Sequence, residues 1–212
     1  MTRIGLRAPE RLEVTVAGQA HCGFTQDWYT DEWRRKAGCG PTTATCLLAY
    51  CLGRDGKWPI PLTVAEAATY MDRVWEYVTP SYGGLYKTRW MADGLRCWLA
   101  DAGIERYVPQ MLTVSILPGY RPSGPEVIEF IRAGLAADSP VAFLNRHAGK
   151  ETQIDTWHWV PIVELVRDGV RTTAVCYDEG RRKSFDPAAW TKDTVLGGGF
   201  VYLSPTEKKQ EM

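Results

Sequence analysis

The stretch 36-KAGCGPTTATCLLAY-50 decides how the rest of the chain is read. Pro41 fits the first turn of a helix, where its missing N–H costs nothing. Ala44, Leu47, Leu48 and Cys51 then recur on one helical face, so the spacing predicts a helix over 41–52 with Gly53 as its stop. Cys39 falls at or just before that helix's N-terminus. The free N–H groups and the dipole at such an end favour a thiolate. Gly38 and Gly40 flank it without side chains, which leaves the sulfur open to an approaching carbonyl. A small core cysteine would explain the helix but not the two glycines.

The other five cysteines lack this setting. Cys46 and Cys51 lie inside the same helix, Cys97 inside another and Cys176 in a strand, where free cysteine acts as a small hydrophobe. Cys22 follows His21, but neither a C-x-x-C nor a close His pair occurs, so no metal site and no cofactor is expected. A chain of 212 residues is long enough for a full core without disulfides, so free thiols in a reducing, cytoplasmic compartment are the expectation, or secretion if a leader has been trimmed.

Lys plus Arg and Asp plus Glu are each 25, so the formal net charge is zero. That argues against nucleic-acid or anionic-membrane partners found through global charge. No run approaches the about 18 apolar residues of a membrane span. The N-terminus carries Pro9, Glu10 and Glu13 where a signal peptide would be apolar. One domain over 1–204 is expected, with a disordered tail over 205–212.

Along the chain, 11-RLEVTV-16 alternates like a short strand. Thr63 and Glu66 stand at capping-box spacing before a helix whose stripe is Ala67, Met71, Val74 and Val78. A Gly- and Tyr-bearing loop over 80–88 precedes a helix that buries Met91, Leu95, Trp98 and Leu99 and stops at Gly103. Another helix over 124–137 turns Val127, Ile128, Ile131 and Leu135 inward. The period then changes. 140-PVAFLN-145 reads as a strand, 157-WHWVPIVELV-166 and 170-VRTTAVCYD-178 as a hairpin with Asp168-Gly169 in its turn, and 197-GGGFVYLS-204 as a last strand. Helices first and strands later indicate an α+β fold rather than a doubly wound sheet.

A nucleophilic thiol needs a base. His158 heads an apolar strand between two tryptophans, whereas His21 and His147 stand in loop-like sequence. A nucleophile on an early helix with a base on a much later strand is the order of cysteine peptidases. The hairpin then suggests a third group. A three-residue turn over 167–169 sets Val166 opposite Val170 and His158 opposite Asp178, while a two-residue turn brings Glu179 there instead. Asp178, which would end its strand, is preferred. An acyl-transfer site also needs oxyanion donors. The Cys39 N–H is one candidate, and Gln26, ahead of Gln19, is the other. Trp28, Tyr29, Tyr82, Tyr86, Trp157 and Trp159 are candidate walls for a cleft.

Taken in order, "GCGPTTATCLLAY", "PVAFLN", "HWVPIV" and "VCYD" resemble the papain-like cysteine peptidases of the bacteriocin-leader-processing type, in particular their bacterial C39-like members, over roughly residues 26–203. The resemblance implies a papain-like fold with Cys39 as nucleophile, His158 as base, Asp178 as acid and Gln26 at the oxyanion hole. It also implies hydrolysis of a peptide or other amide. Two departures stand out. Gln26 lies 13 residues before Cys39, farther than is usual in the family, so 27-DWYTDEWRRKAG-38 must loop out to return it. The family's Asp-Pro at the acid is Asp178-Glu179 here, while an Asp-Pro occurs at Asp186-Pro187 and keeps Asp186 as a rival. An acyltransferase using the same residues and an inert papain-like binding module are the alternatives.

Overall fold

The computed structural model describes residues 1–60 and 63–206. In chain order the elements are β1 (Thr2–Gly5), β2 (Glu13–Val16), β3 (Gln19–Cys22), α1 (Glu32–Ala37), α2 (Cys39–Arg54), α3 (Val64–Trp75), α4 (Thr88–Asp101), β4 (Tyr107–Val114), α5 (Gly124–Ala136), β5 (Val141–Asn145), β6 (His158–Asp168), β7 (Arg171–Asp178), β8 (Arg181–Phe185), α6 (Pro187–Asp193) and β9 (Gly198–Pro205). Seven strands form one antiparallel sheet in the order β4-β9-β5-β6-β7-β8, with β1 pairing the far half of β6. β2 and β3 form a separate hairpin. The α+β expectation holds.

The capping boxes explain where helices begin. Thr63 and Glu66 cap α3 reciprocally as their spacing predicts, and Ser123 and Glu126 do the same for α5. In α3 and α4 the predicted stripes are buried, except that Trp98 is only half-buried. The 41–52 helix differs from its reading in two ways. It runs from Cys39 to Arg54, so Gly53 is inside it and Pro41 is its third residue. Every residue from Gly40 to Leu52 is buried, not one face alone. Packed between β6 on one side and α3 on another, it is the central helix of the core, and such a helix carries little amphipathic signal.

The far end of α2 is fixed by a buried polar cluster. Asp138 accepts from the Tyr50 hydroxyl at 2.7 Å and the Arg7 N–H at 2.9 Å, and pairs with Arg54 at 3.2 Å. Burial pushes the Asp138 carboxyl up, and these partners outweigh it and hold it below the usual range.

Two readings need correction. The β6–β7 turn is Gly169-Val170, with Asp168 paired to Arg171, so neither predicted register applies. Gly169 takes φ 59 at the first central position, the arrangement a two-residue Gly-X turn requires. At the other end of the chain, Pro205 closes β9 and Thr206 bonds the carbonyls of Glu105 and Arg106, so the predicted tail does not start at 205. The rest of that tail, 207–212, lies outside the described residues.

Candidate active site

Cys39 is the first residue of α2, after Gly38 as N-cap. Its N–H is in the helix's first turn, where backbone donors lack intrahelical partners. The flanking glycines have a different cause from the one their sequence setting suggests. A Cβ on Gly38 would lie 2.3 Å from the Arg34 carbonyl oxygen and 2.6 Å from the Tyr29 ring, and one on Gly40 2.6 Å from Leu85 Cδ2. The glycines let α1 and the 81–86 loop close onto the start of α2. Close packing, not open access to the thiol, demands them.

His158 is the first residue of β6, and its Nε2 lies 2.8 Å from Asp178 Oδ1. Cys39 Sγ sits 4.0 Å from the carbonyl oxygen of Trp157, the preceding residue. Trp157 has φ 56, a left-handed conformation that is costly for a bulky side chain, and such strain persists only where the surroundings impose it. Asn145 is part of that constraint. Fully buried at the end of β5, it pairs in register with His158, donates to the carbonyls of Ile154 and Asp155, and accepts from Trp190 Nε1 at 2.9 Å.

Burial alone would lower the His158 imidazole. The hydrogen bond to Asp178, the neighbouring Cys39 and the carboxylate charge outweigh it and hold the ring up at about 10. Asp178 is almost fully buried, and its other oxygen accepts from Lys183 Nζ at 2.7 Å. Burial raises its carboxyl too, and the His158 and Lys183 contacts reverse that and leave it below the ordinary range.

The His158–Asp178 contact survives the different register because of a β-bulge. The pairing shifts by one residue between Ile162 and Glu164 of β6. Extended past Ile162–Cys176, the shifted register sets His158 opposite Gly180. Asp178 is then its diagonal neighbour on the same face, within reach of long side chains. Glu179 and Gly180, at φ 50 and 77, form a tight turn into β8. Proline cannot adopt such a φ, so no Asp-Pro could stand at 178–179 in this turn. The rival acids have other partners, although Glu179 lines the same cavity. Glu179 is exposed and pairs with Lys183 at 3.3 Å. Asp186 caps α6, accepting from the Ala188 and Ala189 N–H groups at 3.0 Å each.

Gln26 lines the same cavity as Cys39, His158 and Asp178. The insert before Cys39 does not loop out. Asp31 caps α1, whose single pair of turns brings the chain back, and Gln26 Nε2 donates to the Arg35 carbonyl at 2.6 Å. Its Oε1 is buried with no partner among the described residues. Gln19 lies exposed in the β2–β3 hairpin, opposite Val16. Of the other histidines, His21 bonds the Gly23 carbonyl and His147 accepts from the Gly149 N–H.

On the other side of Cys39 lies a cleft of about 320 Å³ walled by Trp33, Tyr82 and Trp157 over Trp159. Trp33 and Tyr82 stack at 6.1 Å. Trp159 is buried, and its indole N–H bonds the Leu85 carbonyl, tying the 81–86 loop to the site. Tyr82, Trp157 and Trp159 thus take the places expected of them. Tyr29 is core against Trp75, Trp28 packs on His21, and Tyr86 on Trp90. Sequence reasoning missed Trp33, Asn145 and Lys183. The six cysteines are free. Burial pushes Cys46 and Cys51 up to about 12 and raises Cys176 further, as befits core thiols.

No family model and no curated protein matches the chain. Among solved structures, the crystal structure of UfSP from C. elegans matches with a TM-score of 0.53 at 10% sequence identity. The match covers 96% of this chain and 34% of that one, so this chain spans about a third of its length. At this identity the likeness speaks to fold. The α+β fold is similar to that of UfSP.

Proposed function

We propose that the chain is a cysteine-dependent hydrolase of peptide or other amide bonds. The observation that carries this reading is one cavity lined by a cysteine at the start of the buried central helix, a histidine held up at about 10, and a buried carboxylate 2.8 Å from that histidine's Nε2. In the reaction, Cys39 sulfur attacks the amide carbon. His158, held as imidazolium by Asp178, favours a thiolate beside it and then gives its proton to the leaving amine. The resulting thioester is opened by water, with His158 now taking the water's proton and returning the thiol.

The negative oxygen that forms in both halves needs preorganised donors. The Cys39 N–H and the second N–H of Gln26 are the pair assigned to it. The aromatic cleft takes the acyl side of the substrate. The finer reading, a relative of the bacteriocin-leader-processing peptidases, is supported by the motifs at 38–50, 140–145, 158–163 and 175–178. Six free thiols favour work in a reducing compartment. Among the described residues no helix is long and apolar enough to cross a membrane.

The test is a panel of activated peptidyl esters and amides. A mass increase on Cys39 equal to the acyl group, followed by release of free acid, is the expected outcome. Transfer to an added amine instead of water would make the protein an acyltransferase. Turnover retained in Cys39→Ala would refute both.

A further inference from the structure

We propose that Lys183 is a positioning residue of this site: its ammonium holds the outer oxygen of Asp178 so that the inner oxygen stays on His158. The inference rests on the hydrolase reading above and adds a fourth member to its chain of contacts.

Three adjacent strands carry the row. His158 begins β6, Asp178 ends β7, and Lys183 lies in β8 opposite Cys176. Residues 176 and 178 share a face of β7, so Lys183 is the diagonal neighbour of Asp178 on the side opposite His158. Lys183 Nζ reaches Asp178 Oδ2 at 2.7 Å while Oδ1 faces His158 Nε2 at 2.8 Å. Both carboxylate oxygens are therefore committed, and the acid cannot rotate without breaking a charge-assisted hydrogen bond. Lys183 is itself largely buried, with 19% of its side chain exposed, unlike an ordinary surface lysine.

The surrounding charge gives the lysine a second task. Asp155, from the loop before β6, Asp178 and Glu179 have carboxylate oxygens within 4.8 Å of one another. Around Lys183 stand Asp178, Glu179 at 3.3 Å, and Cys176, whose thiol bonds the Lys183 carbonyl. His158 and Cys39 lie beyond Asp178. Arg182, next in the chain, turns away to Glu164 and the Tyr177 ring. Without the ammonium, three acids would crowd one site with imidazolium as counter-charge. Asp178 would then turn toward solvent or take up a proton. Burial alone would lower the Lys183 ammonium, and Asp178 more than reverses that.

The experiment follows the rate at which iodoacetamide alkylates Cys39 from pH 5 to 11, read by mass spectrometry of the peptide that carries it, in wild type, Lys183→Met and Lys183→Arg. Melting curves check folding. A thiolate paired with imidazolium reacts on a plateau well below the pH at which free thiols ionise. Wild type and Lys183→Arg should show the plateau. Lys183→Met should lose at least ~10-fold of it at pH 6, the weight of one charge-assisted hydrogen bond, and match wild type at the alkaline end. Should the Met variant fail to fold, Lys183→Gln is held to the same profile. A plateau retained in the neutral variant overturns the role of Lys183 alone. So does an equal slowing at every pH, which marks a merely structural residue. A wild type with no plateau overturns the hydrolase reading, and this inference with it.

Discussion

Replacing Asp178 by asparagine tests the geometry of the site most finely. In many cysteine enzymes an amide can orient the imidazole, because one acceptor is enough. Here both oxygens are in use, from His158 Nε2 at 2.8 Å and Lys183 Nζ at 2.7 Å. An asparagine has one acceptor end. Facing His158 with its oxygen, it sets an NH₂ group against the ammonium. Turned over, it sets the NH₂ group against Nε2 and imposes the wrong tautomer. Either way one buried hydrogen bond to a charged group is lost, a cost of about 1.5–3 kcal/mol. Losing the carboxylate charge should also lower the His158 pKa by about 1–3 units from its value of about 10. Turnover should fall by ~10³ to 10⁴, the range for a triad carboxylate made neutral. The assay is an NMR titration of the three histidine rings, which needs no substrate. The sign for stability follows. A His158 pKa raised in the fold stabilises fully below the unfolded value of about 6.5 and loses that contribution as pH rises through about 10. The melting-temperature gap between wild type and Asp178→Asn should thus be widest near pH 6 and narrow towards pH 10. Asp186→Asn, which keeps a good helix cap, is the control and should do neither. A His158 titration unmoved in Asp178→Asn would refute the reasoning.

Three further outcomes are expected. Gly38→Ala should destabilise by about 1–3 kcal/mol, because its methyl meets Arg34 backbone at 2.3 Å, and denaturant melts will read the loss. Asp138→Ala takes from the Tyr50 hydroxyl its acceptor and from Arg54 one of two carboxylate partners, Asp55 remaining, and should cost about 1–3 kcal/mol in the same assay, with no change in the pH profile of Cys39 alkylation. Trp157→Gly should relieve the φ of 56 and leave stability equal or higher, while raising KM for any amide substrate by removing one wall of the cleft.

The parts of the fold that the sequence makes legible are those whose local chemistry agrees with their place. The Thr63–Glu66 box, the stripes of α3 and α4 and the apolar run of β5 announce themselves. The two edge strands do not. β4 contains Pro109, and β8 reads Arg-Arg-Lys-Ser-Phe, both suited to an edge that must not recruit further strands and both poor in apolar alternation. Because β8 is silent, Lys183 is silent too. The sequence singles out Cys39, His158, Asp178 and Gln26 as candidates, and all four line one cavity. The three-residue turn over 167–169 that sets Asp178 opposite His158 gives way in the structure to a Gly169-Val170 turn and a bulge at Val163, and local spacing shows neither. The contact depends on tertiary register, which pairing rules applied to one hairpin do not supply. The α1 helix is not legible in the sequence, because its six residues are too few for a periodic pattern.

The central claim is that Cys39 is an activated nucleophile because His158 stands beside it. Brief exposure to iodoacetamide at pH 6, followed by peptide mapping of all six cysteines in wild type and His158→Ala, tests it directly. Cys39 should be labelled first, ahead of Cys97, which is exposed but has no imidazole partner, and His158→Ala should remove that preference. Labelling of Cys97 or Cys22 before Cys39, or a Cys39 rate indifferent to His158, would contradict the account.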